Sequence, residues 1–176
     1  AYQPDLIVNC GAYTAVDKAE TDRKSAQLIN ADAAKALAQA ATQVGASIIQ
    51  ISTDYVFDGN GDTPYLEDME TNPMNIYGQT KREGERGVLA ENKCATVIRV
   101  AWLYDTQGKN FLLTMLRLAE NHPTLRVVDD QFGAPTYVVS LAAALDDLCQ
   151  QHLAGNAPYG IFHLPAGGCT SWYEFA

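Results

Sequence analysis

Tyr77 and Lys81 close the segment Tyr77-Gly78-Gln79-Thr80-Lys81. On a helix this i, i+4 spacing puts both side chains on one face. An ammonium beside a phenol favours the phenolate and lowers the phenol's pKa toward neutrality. A tyrosine tuned in this way gives a proton to a ketone oxygen or takes one from an alcohol. The same spacing also arises by chance on a solvated helix, so the pair needs a third group. Thr53 supplies it, because it falls at the carboxyl end of a predicted strand over 48–52. A hydroxyl placed there can hydrogen-bond the substrate oxygen that the tyrosine protonates. Its plainer role is a turn that closes the strand.

These residues must be held by an alternation of strands and helices. Short apolar runs predict strands over 6–8, 48–52, 95–100, 125–128 and 161–164. Helices are predicted over 21–44, stopped by Gly45, and over 75–91, 111–121 and 139–153. Thr170-Ser171 is expected to cap one more. A polar loop of about 20 residues carries Gly59, Gly61, Pro64 and Pro73, and loops that long inside a domain are usually functional. The βαβ spacing predicts an α/β fold: a Rossmann-like, mostly parallel sheet with helices on both faces. Ligands of such sheets sit beyond the carboxyl ends of the strands, here residues 9–14, 53–58 and 101–104. The chain holds no GxGxxG turn. The expectation is therefore an interior segment whose first βαβ unit lies outside it. Residues 1–104 are expected to form a partial dinucleotide-binding domain with the catalytic residues. Residues 105–176 are expected to form segments of a small substrate lobe, interleaved with the remaining Rossmann elements.

Composition narrows the function. The chain has 176 residues, is 47% hydrophobic and carries a net charge of −9. That charge argues against a nucleic-acid or anionic-membrane surface. No apolar run approaches the length of a membrane helix. Cys10, Cys94, Cys149 and Cys169 form no CxxC pair and have no histidine at ligand spacing, which fits reduced thiols in a cytoplasmic protein.

Thr, Tyr and Lys in this order resemble the triad of the short-chain dehydrogenases/reductases. The wording of longer motifs goes further. Asn9-Cys10-Gly11-Ala12-Tyr13-Thr14-Ala15-Val16-Asp17-Lys18-Ala19-Glu20, STDYVFDG at Ser52, NIYGQTK at Asn75, RVAWLY at Arg99, DDQFGAPT at Asp129 and the FHLPAGG stretch from Phe162 are similar to segments of the dTDP-4-dehydrorhamnose reductases. These belong to the extended short-chain superfamily. The resemblance covers nearly the whole chain, in family order. It implies reduction of the C4 ketone of dTDP-4-dehydro-6-deoxy-L-mannose to dTDP-L-rhamnose, a step of cell-surface polysaccharide biosynthesis, with NADPH or NADH as hydride donor. It also implies that Tyr77 protonates the oxygen, that Lys81 lowers the Tyr77 pKa and binds the nicotinamide ribose, and that Thr53 tunes the pair and helps bind the sugar. Ala12, Tyr13, Thr14 and Ile51 would line the cofactor, and Asp54, Tyr55 and Trp102 would face the substrate. Trp102 could stack on a sugar or base.

The chain also departs from the family's wording. Cys10-Gly11 replaces two alanines, and Val100-Ala101 replaces Thr-Ser. Some members bridge a dimer through glutamate-bound Mg²⁺. Here Gly133-Ala134-Pro135-Thr136 is followed by Tyr137-Val138-Val139 without a carboxylate, so a homodimer is compatible but no metal site is expected. Asp129-Asp130 is expected to bond backbone in a loop. Asp17, Lys18 and Glu20 read as a solvated helix face, and the charge of His152 would suit a helix end. His163 is expected to be satisfied structurally. Two other functions share these motifs. One is a sugar-nucleotide epimerase or dehydratase, and the other is a non-catalytic NADP-binding regulatory subunit.

Overall fold

The computed structural model describes residues 3–176. The chain divides into two compact units. The first holds the residues up to Arg99 together with Leu148–His163, and the second holds Val100–Asp147 with Leu164–Ala176.

The first unit is built on a four-stranded sheet of order β1-β2-β3-β7, from β1 (Leu6–Asn9), β2 (Ser47–Thr53), β3 (Ala95–Val100) and β7 (Gly160–His163). β1 and β2 run parallel with Asn9 opposite Gln50. β3 and β7 run parallel with Arg99 opposite His163. Every residue of β3 is buried, as expected of a strand covered on both faces. Alternate side chains of β3 reach different layers. Arg99 meets Glu85 of α4 (Ile76–Glu91), whereas Thr96 meets His152 of α6 (Val138–Leu153) on the other face. Helices therefore cover both faces.

The stretch predicted as one helix over 21–44 begins two residues later and changes pitch within. α1 (Val16–Ala19) precedes it, α2 (Arg23–Gln27) runs into a π-turn over Leu28–Asp32, and α3 (Ala33–Val44) follows. Gly45 ends α3 at φ 76°, a left-handed conformation that costs glycine little. Ala34, Ala38 and Ala41 are almost fully buried against Ile48, Val88 and Ala95. Their small side chains let α3 lie close to the sheet and to α4. The π-turn presents the Asn30 carbonyl to Gly84, and a Cβ at Gly84 would collide with that oxygen. Glycine is required there by close approach.

The second unit contains α5 (Phe111–Ala119) and two small ladders. β4 (Leu103–Tyr104) pairs parallel with β6 (Thr136–Tyr137), and β5 (Phe132–Gly133) pairs antiparallel with β8 (Thr170–Ser171). The predicted strand over 125–128 has no ladder and is irregular. A short apolar run carries no period of its own and so does not by itself specify a strand. The helix expected after Thr170-Ser171 is α7 (Trp172–Phe175), closed by a capping box of Ser171 and Glu174. No helix of the described residues is long and apolar enough to cross a membrane.

Candidate active site

Helix α4 carries the central pair, and two caps fix its first turn. Asn75 Oδ1 accepts the Gly78 N–H at 2.8 Å, and Glu20 Oε1 accepts the Ile76 N–H at 2.8 Å. Glu20 is therefore not merely solvated, as expected from sequence. Its carboxylate neutralises a helix N-terminus that would otherwise hold orphan donors. Gly78 lets this turn press on the Tyr55 carbonyl, where a Cβ would clash.

Lys81 is 4% exposed, and its Nζ donates to the Ile51 carbonyl at 2.7 Å. Burial pushes its pKa down to about 8, while Glu85 and Cys10 act against that shift. Tyr77 packs edge-on against Tyr55, with ring centroids 5.5 Å apart. Burial pushes its hydroxyl up to about 12, and the Thr53 hydroxyl acts against that shift. The expected effect of Lys81 on Tyr77 is thus not what the structure shows. The ammonium is turned to a backbone carbonyl, and desolvation of the phenol outweighs it.

Thr53 ends β2 and is buried. Its Oγ1 accepts the Tyr55 N–H at 3.2 Å and lies 3.0 Å from Asp54 Oδ1. Burial raises the pKa of Asp54, and burial followed by the charges of Asp54 and Asp17 raises that of Tyr55. Ile51, Thr53, Asp54, Tyr55, Tyr77 and Lys81 thus surround one strand end.

The loop after β1 is held by a residue that sequence inspection missed. Asn30 is 2% exposed. Its Oδ1 accepts the Tyr13 N–H at 2.8 Å, and its Nδ2 lies 3.2 Å from the Tyr13 carbonyl and 3.1 Å from Thr80 Oγ1. One amide therefore ties the loop of Ala12, Tyr13 and Thr14 to the helix that carries Tyr77 and Lys81. An asparagine inside an alanine-rich helix was the available signal, since such a residue favours caps and turns over helix interiors. The Tyr13 hydroxyl donates to Asp22 Oδ2 at 3.2 Å.

Trp102 belongs to the second unit. Its backbone has φ 48°, unusual for a residue other than glycine. One face of its indole stacks on Trp172, with centroids 3.6 Å apart and planes 12° from parallel. A Cβ at Gly133 would stand 2.5 Å from Cε2 and 2.9 Å from Nε1, which places Gly133 over the opposite face. Both faces are taken, so the stacking on sugar or base expected for Trp102 is not available in this arrangement. Its edge remains. Asp129 accepts the Ser171 hydroxyl at 2.6 Å, a side-chain bond rather than the backbone bond expected. His152 is 7% exposed and burial lowers its pKa, so it is neutral rather than a charge for the helix dipole. Among the described residues no group of three or more His, Cys, Asp or Glu could hold a metal ion.

A parallel sheet under two helix layers, with Tyr and Lys one turn apart beside a strand-end Thr, defines the extended short-chain dehydrogenase/reductase class. The RmlD substrate binding domain model matches residues 1–176, and the chain belongs to that family. A dTDP-4-dehydrorhamnose reductase of Shigella flexneri is 49% identical over 181 residues, covering 99% of this chain and 58% of the relative. The Streptomyces griseus dTDP-4-dehydrorhamnose reductase is 46% identical, with coverages of 99% and 58%. Among solved structures, a reductase of that name from Clostridium acetobutylicum superposes with TM-score 0.92 at 46% identity, covering 98% of this chain and 59% of the other. The Bacillus anthracis enzyme, solved in complex with NADP, gives 0.91 at 41%, with coverages of 98% and 60%. The chain thus spans somewhat under two thirds of the length of these relatives.

Proposed function

We propose that this chain carries the proton-handling groups of an NAD(P)H-dependent reductase that converts dTDP-4-dehydrorhamnose to dTDP-L-rhamnose. The observation that carries this reading is the convergence of Thr53 at the end of β2 with Tyr77 and the buried Lys81 of α4, whose Nζ donates to the Ile51 carbonyl of that strand. The named relatives support the substrate, and the NADP complex of the Bacillus anthracis enzyme supports the cofactor.

The residues present fit a nicotinamide nucleotide. An ammonium has three N–H donors, and Lys81 Nζ has one hydrogen-bond acceptor among the described residues, the Ile51 carbonyl. Two donors remain for vicinal ribose hydroxyls. Ala12, Tyr13, Thr14 and Ile51 would line that nucleotide. When bound, the reduced nicotinamide supplies the hydride.

Tyr77, protonated at any working pH, gives its proton to the ketone oxygen. Thr53 stabilises the phenolate left behind. Asp54 and Tyr55 would hold the sugar, and the family resemblance gives Trp102 a role in substrate binding as well. The exposed thiols of Cys10, Cys94 and Cys169 suit a reducing compartment, and we place the reaction in the cytoplasm.

The test is an assay of the full-length parent with dTDP-4-dehydrorhamnose and each nicotinamide. One NAD(P)H should be oxidised per sugar, which separates a reductase from an epimerase that recycles its cofactor. Tyr77→Phe should lower kcat by about 10²–10⁴-fold while cofactor binding survives. An unchanged rate would remove Tyr77 from the mechanism.

A further inference from the structure

The ladder between β1 and β2 opens at Ile51, and side chains take over the groups it frees. The Ser47 N–H donates to the Asp5 carbonyl on the β1 side, and the Ile48 N–H donates to the Cys94 carbonyl on the β3 side. Alternation along the strand turns Ile51, like Ser47, toward β1. The register that sets Leu6 against Ser47 and Asn9 against Gln50 would, if continued, bring the Gly11 N–H to the Ile51 carbonyl. Instead the Gly11 N–H donates to Asn9 Oδ1 at 3.1 Å. The Ile51 carbonyl receives Lys81 Nζ at 2.7 Å and Gln50 Nε2 at 2.8 Å. Asn9 Nδ2 donates to Gln50 Oε1 at 2.7 Å and completes the chain. Backbone groups at its two ends fix both amides, because an N–H can only donate and a carbonyl can only accept.

We propose that Gln50 is a positioning residue for Lys81: it holds the freed Ile51 carbonyl and leaves the ammonium one lone pair there, so that the two remaining N–H groups keep a fixed direction toward a nucleotide ribose. This rests on the cofactor role proposed above for Lys81. A carbonyl oxygen has two lone pairs, and Gln50 and Lys81 fill both. Without the Gln50 donor the ammonium could move between the two, and a carbonyl released from its ladder could turn. Gln50 is 2% exposed, so its amide is held by these bonds rather than by solvent. Glu85 of α4 and Cys10 beyond β1 act on the ammonium through charge, while the Ile51 carbonyl is its hydrogen-bond acceptor among the described residues. At its far end the same chain holds Gly11, next to the loop of Ala12, Tyr13 and Thr14. One run of side-chain amides therefore sets both walls of the opening between β1 and β2.

The test uses the full-length protein, with NADPH as the probe. Gln50→Met keeps the length of the side chain and removes its donor. The Kd for NADPH should rise about three- to tenfold, the cost of ordering one long side chain on binding. In a Lys81→Met background the same change should move Kd by less than about twofold, because no ammonium is left to aim. A merely structural role for Gln50 would weaken binding equally in both backgrounds, and that result overturns the proposal. A second measurement needs no cofactor. Nitrogen-15 relaxation of the Lys81 ammonium, recorded below its pKa of about 8, should show an ordered Cε–Nζ axis in the wild type and a more mobile one in Gln50→Met. A mobile axis in the wild type overturns the proposal even where Gln50→Met does not fold, and so does an axis equally ordered in the variant. A wild type that binds no NADPH overturns the nicotinamide reading instead, and the relaxation data then decide the role of Gln50 by themselves.

Discussion

The buried pair Glu85–Arg99 offers the sharpest test of how the site is supported. Arg99 Nε and Nη2 donate to the two carboxylate oxygens at 2.9 and 2.8 Å, with side chains 4% and 3% exposed. Glu85→Ala leaves the guanidinium without its counter-charge between sheet and helix. Breaking a buried pair by removing one partner costs about 3–5 kcal/mol. Three features pull the value to the lower end. Arg99 keeps its Nη1 contact with His163 Nε2 at 3.3 Å, and its guanidinium lies 5.0 Å from the Phe57 ring centroid. It also borders a cavity of about 230 Å³ shared with Arg82 and Ile161, which admits water. We expect a loss of about 3 kcal/mol, read as a lower urea midpoint at constant slope. Glu85→Met with Arg99→Leu should cost much less than the sum of the two single changes, because no unpaired charge remains. A Glu85→Ala loss below about 1 kcal/mol, or additive single changes, would refute the account. The pair also reaches the site. Glu85 lies one helical turn after Lys81 and holds its pKa up, so its removal should drop Lys81 below the present value of about 8.

Three further outcomes follow from the geometry. Gly133→Ala must push the Trp102 indole off its stack with Trp172, because the new Cβ would stand 2.5 Å from Cε2. Near-ultraviolet circular dichroism should lose the coupled tryptophan signal, and an unaltered spectrum would contradict the sandwich. Asn30→Ala strands the Tyr13 N–H and should destabilise by about 1–3 kcal/mol, measured by denaturant unfolding; a loss below a few tenths would mean that water replaces the amide. Burial holds the pKa values of His152 and His163 below the ordinary 6.5. The unfolded histidines then bind protons at higher pH than the folded ones, so stability is fully present above about pH 6.5 and lost as pH falls toward the folded values. Unfolding midpoints at pH 7.5 and 5.5 should show this decline, and His152→Gln should make it smaller.

Sequence periodicity was enough for the large elements. β3 and α6 follow from apolar runs and helical spacing, and α4 lies within the helix expected over 75–91. The π-turn was not legible, because its residues continue the same alanine-rich pattern. Only the packing of Asn30 against Gly84 distinguishes it. Thr53, Tyr77 and Lys81 were legible as types at suggestive spacings, and the structure brings Thr53 to Tyr77. The electrostatics were not legible. A ladder of residue names says that Lys81 lies a turn from Tyr77, but not that its ammonium turns to the Ile51 carbonyl. The surroundings of Trp102 were hidden for a similar reason. Its neighbours Gly133 and Trp172 are distant in sequence, and an aromatic past a strand end looks the same whether its faces are open or covered.

The opposite displacements of Tyr77 and Lys81 then acquire a direction. Burial penalises the charged form of each group, raising the phenol to about 12 and lowering the amine to about 8. At neutral pH the phenol is fully protonated, and the amine is still mostly an ammonium. Such a pair is prepared to give a proton, which is what reduction of a ketone requires, rather than to remove one from an alcohol. The difficulty lies after the transfer, when a phenolate must persist in a dry setting. Thr53, which ends β2, opposes the rise of the Tyr77 pKa and so favours that phenolate. Donor strength and phenolate stability at Tyr77 are therefore controlled from the strand end as well as from the helix.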